Sequence, residues 1–160
     1  MFLNIHAEQS WLGLPEDEIH AHLMGINCSL TYLFQLRLPR KRILRIGARP
    51  TEVFSPGHYL YVGSAKRASG HRLWRHWHGS ERHRWHIDYL RAAAFPERLI
   101  LFRSEEVGEC SLAQQLQSDS RFRVVPRFGS SDCACQGHLW LIMGNDHSMG
   151  IEVPSFLSLS

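Results

Sequence analysis

The chain has no run of about 18 apolar residues, so no segment carries the plain signature of a membrane-spanning helix. Cysteine is scarce. Cys28, Cys110, Cys133 and Cys135 are too few and too scattered for the disulfide framework of a small secreted domain. A basic N-terminal segment is missing too: Glu8, Glu16, Asp17 and Glu18 stand there instead, which argues against a secretory signal and makes a reducing cytoplasm the expected location. Neither charge sign dominates, since 18 Lys and Arg face 15 Asp and Glu, and a net +3 selects no class of partner by itself. Internal repeats, low-complexity tracts and long linkers are absent as well. What is present is 160 residues, 44% hydrophobic and 21% charged, the size and balance of one globular domain.

The order of patterns points to an α+β fold, a small mixed sheet flanked by helices. Residues 1–27 read as a lead-in with one short helix: Pro15 at its start, Glu16, Asp17 and Glu18 at the positive end of its dipole, Ile19 and Leu23 four apart, and Gly25 as the stop. The main domain spans 28–143. "LTYLFQLRL" (Leu30 to Leu38) reads as a buried strand, and "RILRIGA" (Arg42 to Ala48) as its hairpin partner across Pro39-Arg40-Lys41. His58 to Gly63 gives a third strand. Leu73, Trp74 and Trp77 then fall at helical spacing from Ser69 to Gly79, and "RWHIDYLRAAA" reads as a second helix. "RLILF" (Arg98 to Phe102) resembles a central strand, and a helix from about Glu106 to Gln117 follows. The next segment reads as a loop leading to a last strand near His138 to Met143, and the tail 144–160 has no strong pattern.

Charge is concentrated locally. Lys66, Arg67, Arg72, Arg75, Arg82, Arg84 and Arg91 stand against only Glu81 and Asp88, a footprint that would suit a phosphate backbone, although a solvated helix face explains charge alone. Beside this block lie two strand tyrosines, Tyr32 and Tyr61, and an Arg72/His76 pair one helical turn apart. Most strand tyrosines are structural. A phenol, a guanidinium and an imidazole meeting in one cleft would nevertheless suit phosphodiester chemistry: Arg braces the charge on phosphorus, and Tyr or His moves a proton from water.

These segments resemble the GIY-YIG nuclease superfamily, whose two strand motifs correspond to "LTYLFQL" and "YLYVGSA", followed by the arginine helix "HRLWRH". "GHYLYVGSA", "RWHIDYL", "EC.LA" and "FGSSDC.C..HL" are similar to its stand-alone, UvrC-related, Uri-type branch. The likeness covers most of Cys28 to Met143. One departure is Leu30, where the first motif begins with Gly. The resemblance implies a divalent-metal-dependent endonuclease that hydrolyses DNA: Tyr32 as general base, Tyr61 and His76 orienting water or relaying its proton, Arg72 on the transition state, and Glu109 holding Mg2+ or Mn2+. Tyr32 would then need a pKa depressed by Arg72 or the metal. Glu105 and Glu106 are the competing carboxylates for the metal. Lys66, Arg67, Arg75, Arg82 and Arg84 are the expected phosphate contacts, and a separate protein is a possible targeting partner. The alternative is a nucleic-acid-binding module of the same fold with weakened catalysis.

Three further groups are open from the residues. Cys133, Cys135 and His138 offer three zinc ligands in one short loop, with Cys28, Cys110 or His86 as a possible fourth, while a structural Cys pair capped by His is as natural. His86 could face the cleft, whereas Asp88 suits a cap or a pairing with a nearby Arg. Helical spacing favours core packing for Trp74 and Trp77 over stacking on bases.

Overall fold

The computed structural model describes residues 14–144; residues 1–13 of the lead-in and 145–160 of the tail lie outside it. The architecture is α+β. Helix α1 (Glu16–Met24) starts after Pro15, carries its three acidic residues in the first turn, and buries Ile19 and Leu23. Strand β1 (Leu30–Leu38) is buried along nearly its whole length. Continuous burial means that both faces of the strand are covered. Its neighbours are β4 (Gly57–Ala65), paired in register from Leu30↔Ala65 to Leu38↔Gly57, and β5 (Phe95–Arg103). The five-stranded sheet runs β5-β1-β4-β7-β6, with β6 at Phe122–Val124 and β7 at Leu139–Ile142.

The expected hairpin between Leu30–Leu38 and Arg42–Ala48 does not form. β2 (Arg42–Arg45) pairs instead with β3 (Thr51–Phe54) in a separate two-stranded ribbon. β2 is short and mostly exposed, so it has no apolar face to offer β1, whereas β4 matches β1 in length and burial. The ribbon is therefore an excursion within one long β1–β4 hairpin.

The sheet is antiparallel in every pairing, which corrects the expectation of a mixed one. Helices α2 (Ser69–His78) and α3 (His86–Arg91) connect β4 to β5, and those strands do run in the same direction. A helical connection normally joins parallel neighbours, but here β1 occupies the place between them. For the same reason β5 is an edge strand rather than a central one, despite the apolar run Leu99–Phe102. That run is buried because helix α4 (Glu109–Gln117) packs Leu112, Ala113 and Leu116 against Ile100 and Phe102. α4 begins three residues later than the sequence suggested, after a turn at residues 104–106. β6 was not foreseen: three residues are too few for periodicity to declare itself.

The two faces of the sheet carry two cores. On one, Tyr32, Phe34, Tyr59 and Tyr61 pack with Leu73 and Trp77 of α2 and with Ile87 and Leu90 of α3; on the other, Leu33, Leu60 and Val62 pack with α4 and Trp140. Trp77 is thus a core residue, while Trp74 is half-buried and stacks on His78. Helices from both faces meet at the end of the sheet where β1 begins and β4 ends.

Candidate active site

At that end lies a cleft of about 350 Å³ lined by Tyr32, Tyr61, Ser64, Arg72, Glu109 and the loop residues Ser131 and Asp132, among others. Four elements contribute. Tyr32 on β1 and Tyr61 on β4 put two phenols side by side, with ring centroids 6.4 Å apart. Arg72, in the first turns of α2, bonds to the carbonyl of Ser64 and lies over the Trp85 ring at 4.3 Å. A guanidinium held between a carbonyl and an indole face is fixed before any anion arrives. Glu109 opens α4 and receives the Ser64 hydroxyl on one oxygen; its other oxygen lies 2.9 Å from Nδ1 of His138.

The Tyr32 ring lies directly across Gly63, its register partner on β4. A methyl group at Gly63 would come within 2.5 Å of the phenol oxygen and of ring carbon Cζ. Gly63 thus leaves room for the tyrosine itself. Leu30, where the motif of the resembled family has Gly, is a buried strand residue paired with Ala65 and Arg103, and it has no positive φ. The leucine therefore introduces no backbone strain.

Behind the cleft the Tyr32 hydroxyl lies 2.8 Å from Nε2 of His76, and both side chains are buried. Nδ1 of His76 makes no hydrogen bond among the described residues, and Oδ1 of Asp88 is 3.8 Å from it, an electrostatic contact only. Asp88 caps α3: its Oδ2 accepts the backbone N–H of Arg84 at 2.8 Å and of Trp85 at 3.0 Å, and receives Arg75 at 3.1 Å. The tautomer that satisfies this line carries its proton on Nδ1, toward the aspartate, and leaves Nε2 to accept from Tyr32. Asp88 thus has the cap-and-pair role that its sequence position suggested, and it is also the charge behind His76.

Burial sets the protonation states. It raises the Tyr32 phenol well above its ordinary value; the neighbouring Tyr61 adds to this, and the opposing pull of Arg72 is smaller. Tyr61 is likewise raised, by burial and then by Glu109. Arg72 alone therefore does not depress the Tyr32 pKa: desolvation of a phenolate in the sheet core outweighs one nearby guanidinium. His76 is lowered, chiefly by burial and against the pull of Asp88, so it is a neutral imidazole at neutral pH. Burial works to raise Asp88, but His76, two backbone N–H groups and Arg75 bring it down to about 2. Glu109 also titrates below its usual value: burial opposes this, and the contacts from His138 and Ser64 and the charge of Arg72 outweigh it.

Of the carboxylates named from sequence, Glu109 faces the cleft. Glu105 and Glu106 are exposed, and Glu105 lies 3.8 Å from Arg103. A second groove, of about 570 Å³, adjoins the cleft through Arg72, Arg84 and Trp85 and is lined further by Arg67, His71 and Arg75. Arg75 is partly taken up by Asp88, while exposed Lys66 and Arg82 line neither hollow. His86 does line the cleft: its Nδ1 accepts the N–H of Gly129 at 3.0 Å, which leaves the other nitrogen to carry the proton. Ser64, Ser131 and Asp132 carry no signal of their own in the sequence, although all three sit inside the stretches "YVGSA" and "FGSSDC".

Fold and site together define an α+β domain with a polar, arginine-bearing cleft at one end of an antiparallel sheet. The chain belongs to the family described as "Domain of unknown function DUF123", whose model matches residues 31–153 and so takes in every cleft residue named above. No curated protein and no solved structure matches it. Among the described residues no helix is long and apolar enough to cross a membrane.

Proposed function

We propose that the protein is a GIY-YIG-type endonuclease of the Uri-type branch, hydrolysing DNA phosphodiester bonds with a divalent cation in the cytoplasm, where a partner protein could direct it to its target. The observation that carries this reading is the convergence of Tyr32, Tyr61, Arg72 and Glu109 from four elements on one cleft, with His76 hydrogen-bonded behind Tyr32. The donor chemistry fits Mg2+ or Mn2+: Glu109 is an ionised oxygen ligand on the cleft wall, and each of its engaged oxygens keeps a second lone pair. When bound, such a cation supplies Lewis-acid polarisation of the phosphoryl oxygen and charge compensation at the leaving oxygen.

The chain's own residues account for the proton. Because Tyr32 is a neutral phenol at rest, it acts as a relay: it takes a proton from the attacking water as it passes its own to Nε2 of His76. Asp88 stabilises the imidazolium that forms. Arg72, already held by Ser64 and Trp85, meets the charge that builds on the phosphoryl oxygens, and the neutral Tyr61 phenol orients the water or the phosphate.

The test is nicking of supercoiled plasmid, and cleavage of duplex, single-stranded and branched DNA, with and without Mg2+ or Mn2+. Metal-dependent cleavage should fall by about a hundredfold or more in Tyr32→Phe and Arg72→Ala, and vanish in Glu109→Ala. Undiminished cleavage in Glu109→Ala would remove the assignment. Salt-sensitive DNA binding with no cleavage under any condition would favour the binding-module reading instead.

A further inference from the structure

The loop between β6 and β7 carries Cys133 and Cys135, and β7 is entered through His138. The fold brings a fourth residue to them from a distant part of the chain. Cys110, the second residue of α4, places its sulfur so that the donor atoms of Cys110, Cys133, Cys135 and His138 all lie within 4.8 Å of one another. Cys28, the other free cysteine, is exposed and is not a member of this group. We propose that these four residues form a tetrahedral Zn2+ site, three thiolates and one imidazole, that fastens the cleft loop to the helix carrying Glu109.

The geometry argues for a metal beyond the mere number of ligands. A zinc tetrahedron with sulfur bonds of about 2.3 Å spaces its donors by roughly 3.8 Å, so the observed group needs only a small contraction. Nε2 of His138 already faces a sulfur, 3.5 Å from Cys133 Sγ, while Nδ1 of the same ring lies 2.9 Å from a carboxylate oxygen of Glu109. A carboxylate on one imidazole nitrogen, with the other turned to thiols, is the arrangement that fixes a ligating histidine in the required tautomer and orientation. His138 is buried and the cysteines are partly exposed, which gives an ion a route in from solvent.

The loop itself is drawn tight. The Arg127 N–H donates to the Gln136 carbonyl and the His138 N–H to that of Phe128, and a side chain at Gly137 would come within 2.5 Å of the Val125 carbonyl. Gly129, Ser131 and Asp132 of this loop line the cleft, so an ion joining Cys133 and Cys135 to Cys110 would hold the cleft wall and Glu109 in one frame. His138 reaches both the cysteine group and the Glu109 carboxylate, through its two nitrogens.

The site does not depend on the nuclease reading, and its test needs no activity. The full chain, purified without chelator under reducing conditions, should contain one zinc per molecule by elemental analysis. After removal of the zinc, titration with Co2+ should give the intense thiolate-to-cobalt absorption and the visible bands of a tetrahedral site. Cys110→Ser should abolish the stoichiometric metal, Cys28→Ser should retain it, and Glu109→Gln should weaken the affinity about tenfold or more. If Cys110→Ser does not fold, alkylation of the native wild-type protein followed by mass spectrometry decides: zinc should shield three cysteines and leave Cys28 to react, with shielding lost on chelation. Absence of stoichiometric zinc together with four freely alkylated cysteines, or a disulfide within the group, would overturn the site.

Discussion

At the scale of single residues the cleft depends on groups whose importance lies in what stands behind them. Asp88 caps a short helix and presents its charge to His76, so Asp88→Asn separates two effects. Its carboxyl is depressed to about 2 from an ordinary 3.8. A depressed carboxylate binds fewer protons folded than unfolded, so its stabilising contribution is complete above the ordinary value and is lost as pH falls through the folded one. The contribution is about 2 kcal/mol at neutral pH. Urea unfolding should therefore find Asp88→Asn less stable than wild type at pH 7, by an amount that shrinks as pH falls from 4 toward 2; a difference that does not vary with pH would contradict this. If Tyr32 passes its proton to His76 as proposed, losing the aspartate removes the group that raises His76, so the acid limb of the rate profile should shift to lower pH while kcat falls about a hundredfold. Gly63→Ala is the second residue test. Its methyl would meet the Tyr32 ring at 2.5 Å, so the phenol must move. Cleavage should drop as far as in Tyr32→Phe, with far-ultraviolet circular dichroism unchanged; full activity would mean that Tyr32 need not sit where it does.

Among the elements, α2 is the one that the rest of the site is hung on, because Arg72 faces the cleft and His76 faces the sheet one turn later. Its own position is fixed by α1. Gly70 lies so close to the end of α1 that an added methyl would stand 2.2 Å from the Leu23 carbonyl, and the Ser69 hydroxyl bonds to the Cys28 carbonyl. Gly70→Ala must push the two helices apart, at a cost of about 1–3 kcal/mol. Thermal unfolding should register that loss, and cleavage should fall by more than the folded fraction does, because Arg72 and His76 move with the helix. How far these elements could be read from sequence follows the same physics. α1, β1, β4 and α2 were legible, because their periodicity and end signals are strong over nine or ten residues. The partner of β1 was not: a turn signal at Pro39 is local, while the choice of β4 over β2 rests on matched length and burial across the molecule. In the site, Tyr32, Tyr61, Arg72, His76 and Glu109 could be listed beforehand, yet the Tyr32–His76 hydrogen bond and the approach of Cys110 to Cys133 depend on packing between elements 44 and 23 residues apart in the chain.

For the whole molecule the weak net charge of +3 conceals a local concentration of cationic side chains beside the cleft. The cleft and the groove beside it share Arg72, Arg84 and Trp85, and the groove adds Arg67, His71 and Arg75, so a continuous cationic track leads into the cleft. Trp85 lies under three guanidinium groups, those of Arg72, Arg75 and Arg84, at 4.3, 5.2 and 5.1 Å, which holds positive charge together that would otherwise spread apart. If this track carries a phosphate backbone, association releases counterions, and the logarithm of the binding constant must fall linearly with the logarithm of salt. Arg67→Ala and Arg84→Ala should each lower the magnitude of that slope by about one phosphate contact, weaken binding alike for all sequences, and raise KM more than they lower kcat. Lys66→Ala and Arg82→Ala, exposed but outside both hollows, should change the slope less. Fluorescence anisotropy with a labelled duplex, from low to physiological salt, measures all four. Equal slopes for the groove and off-groove variants would mean that DNA approaches the cleft from another side.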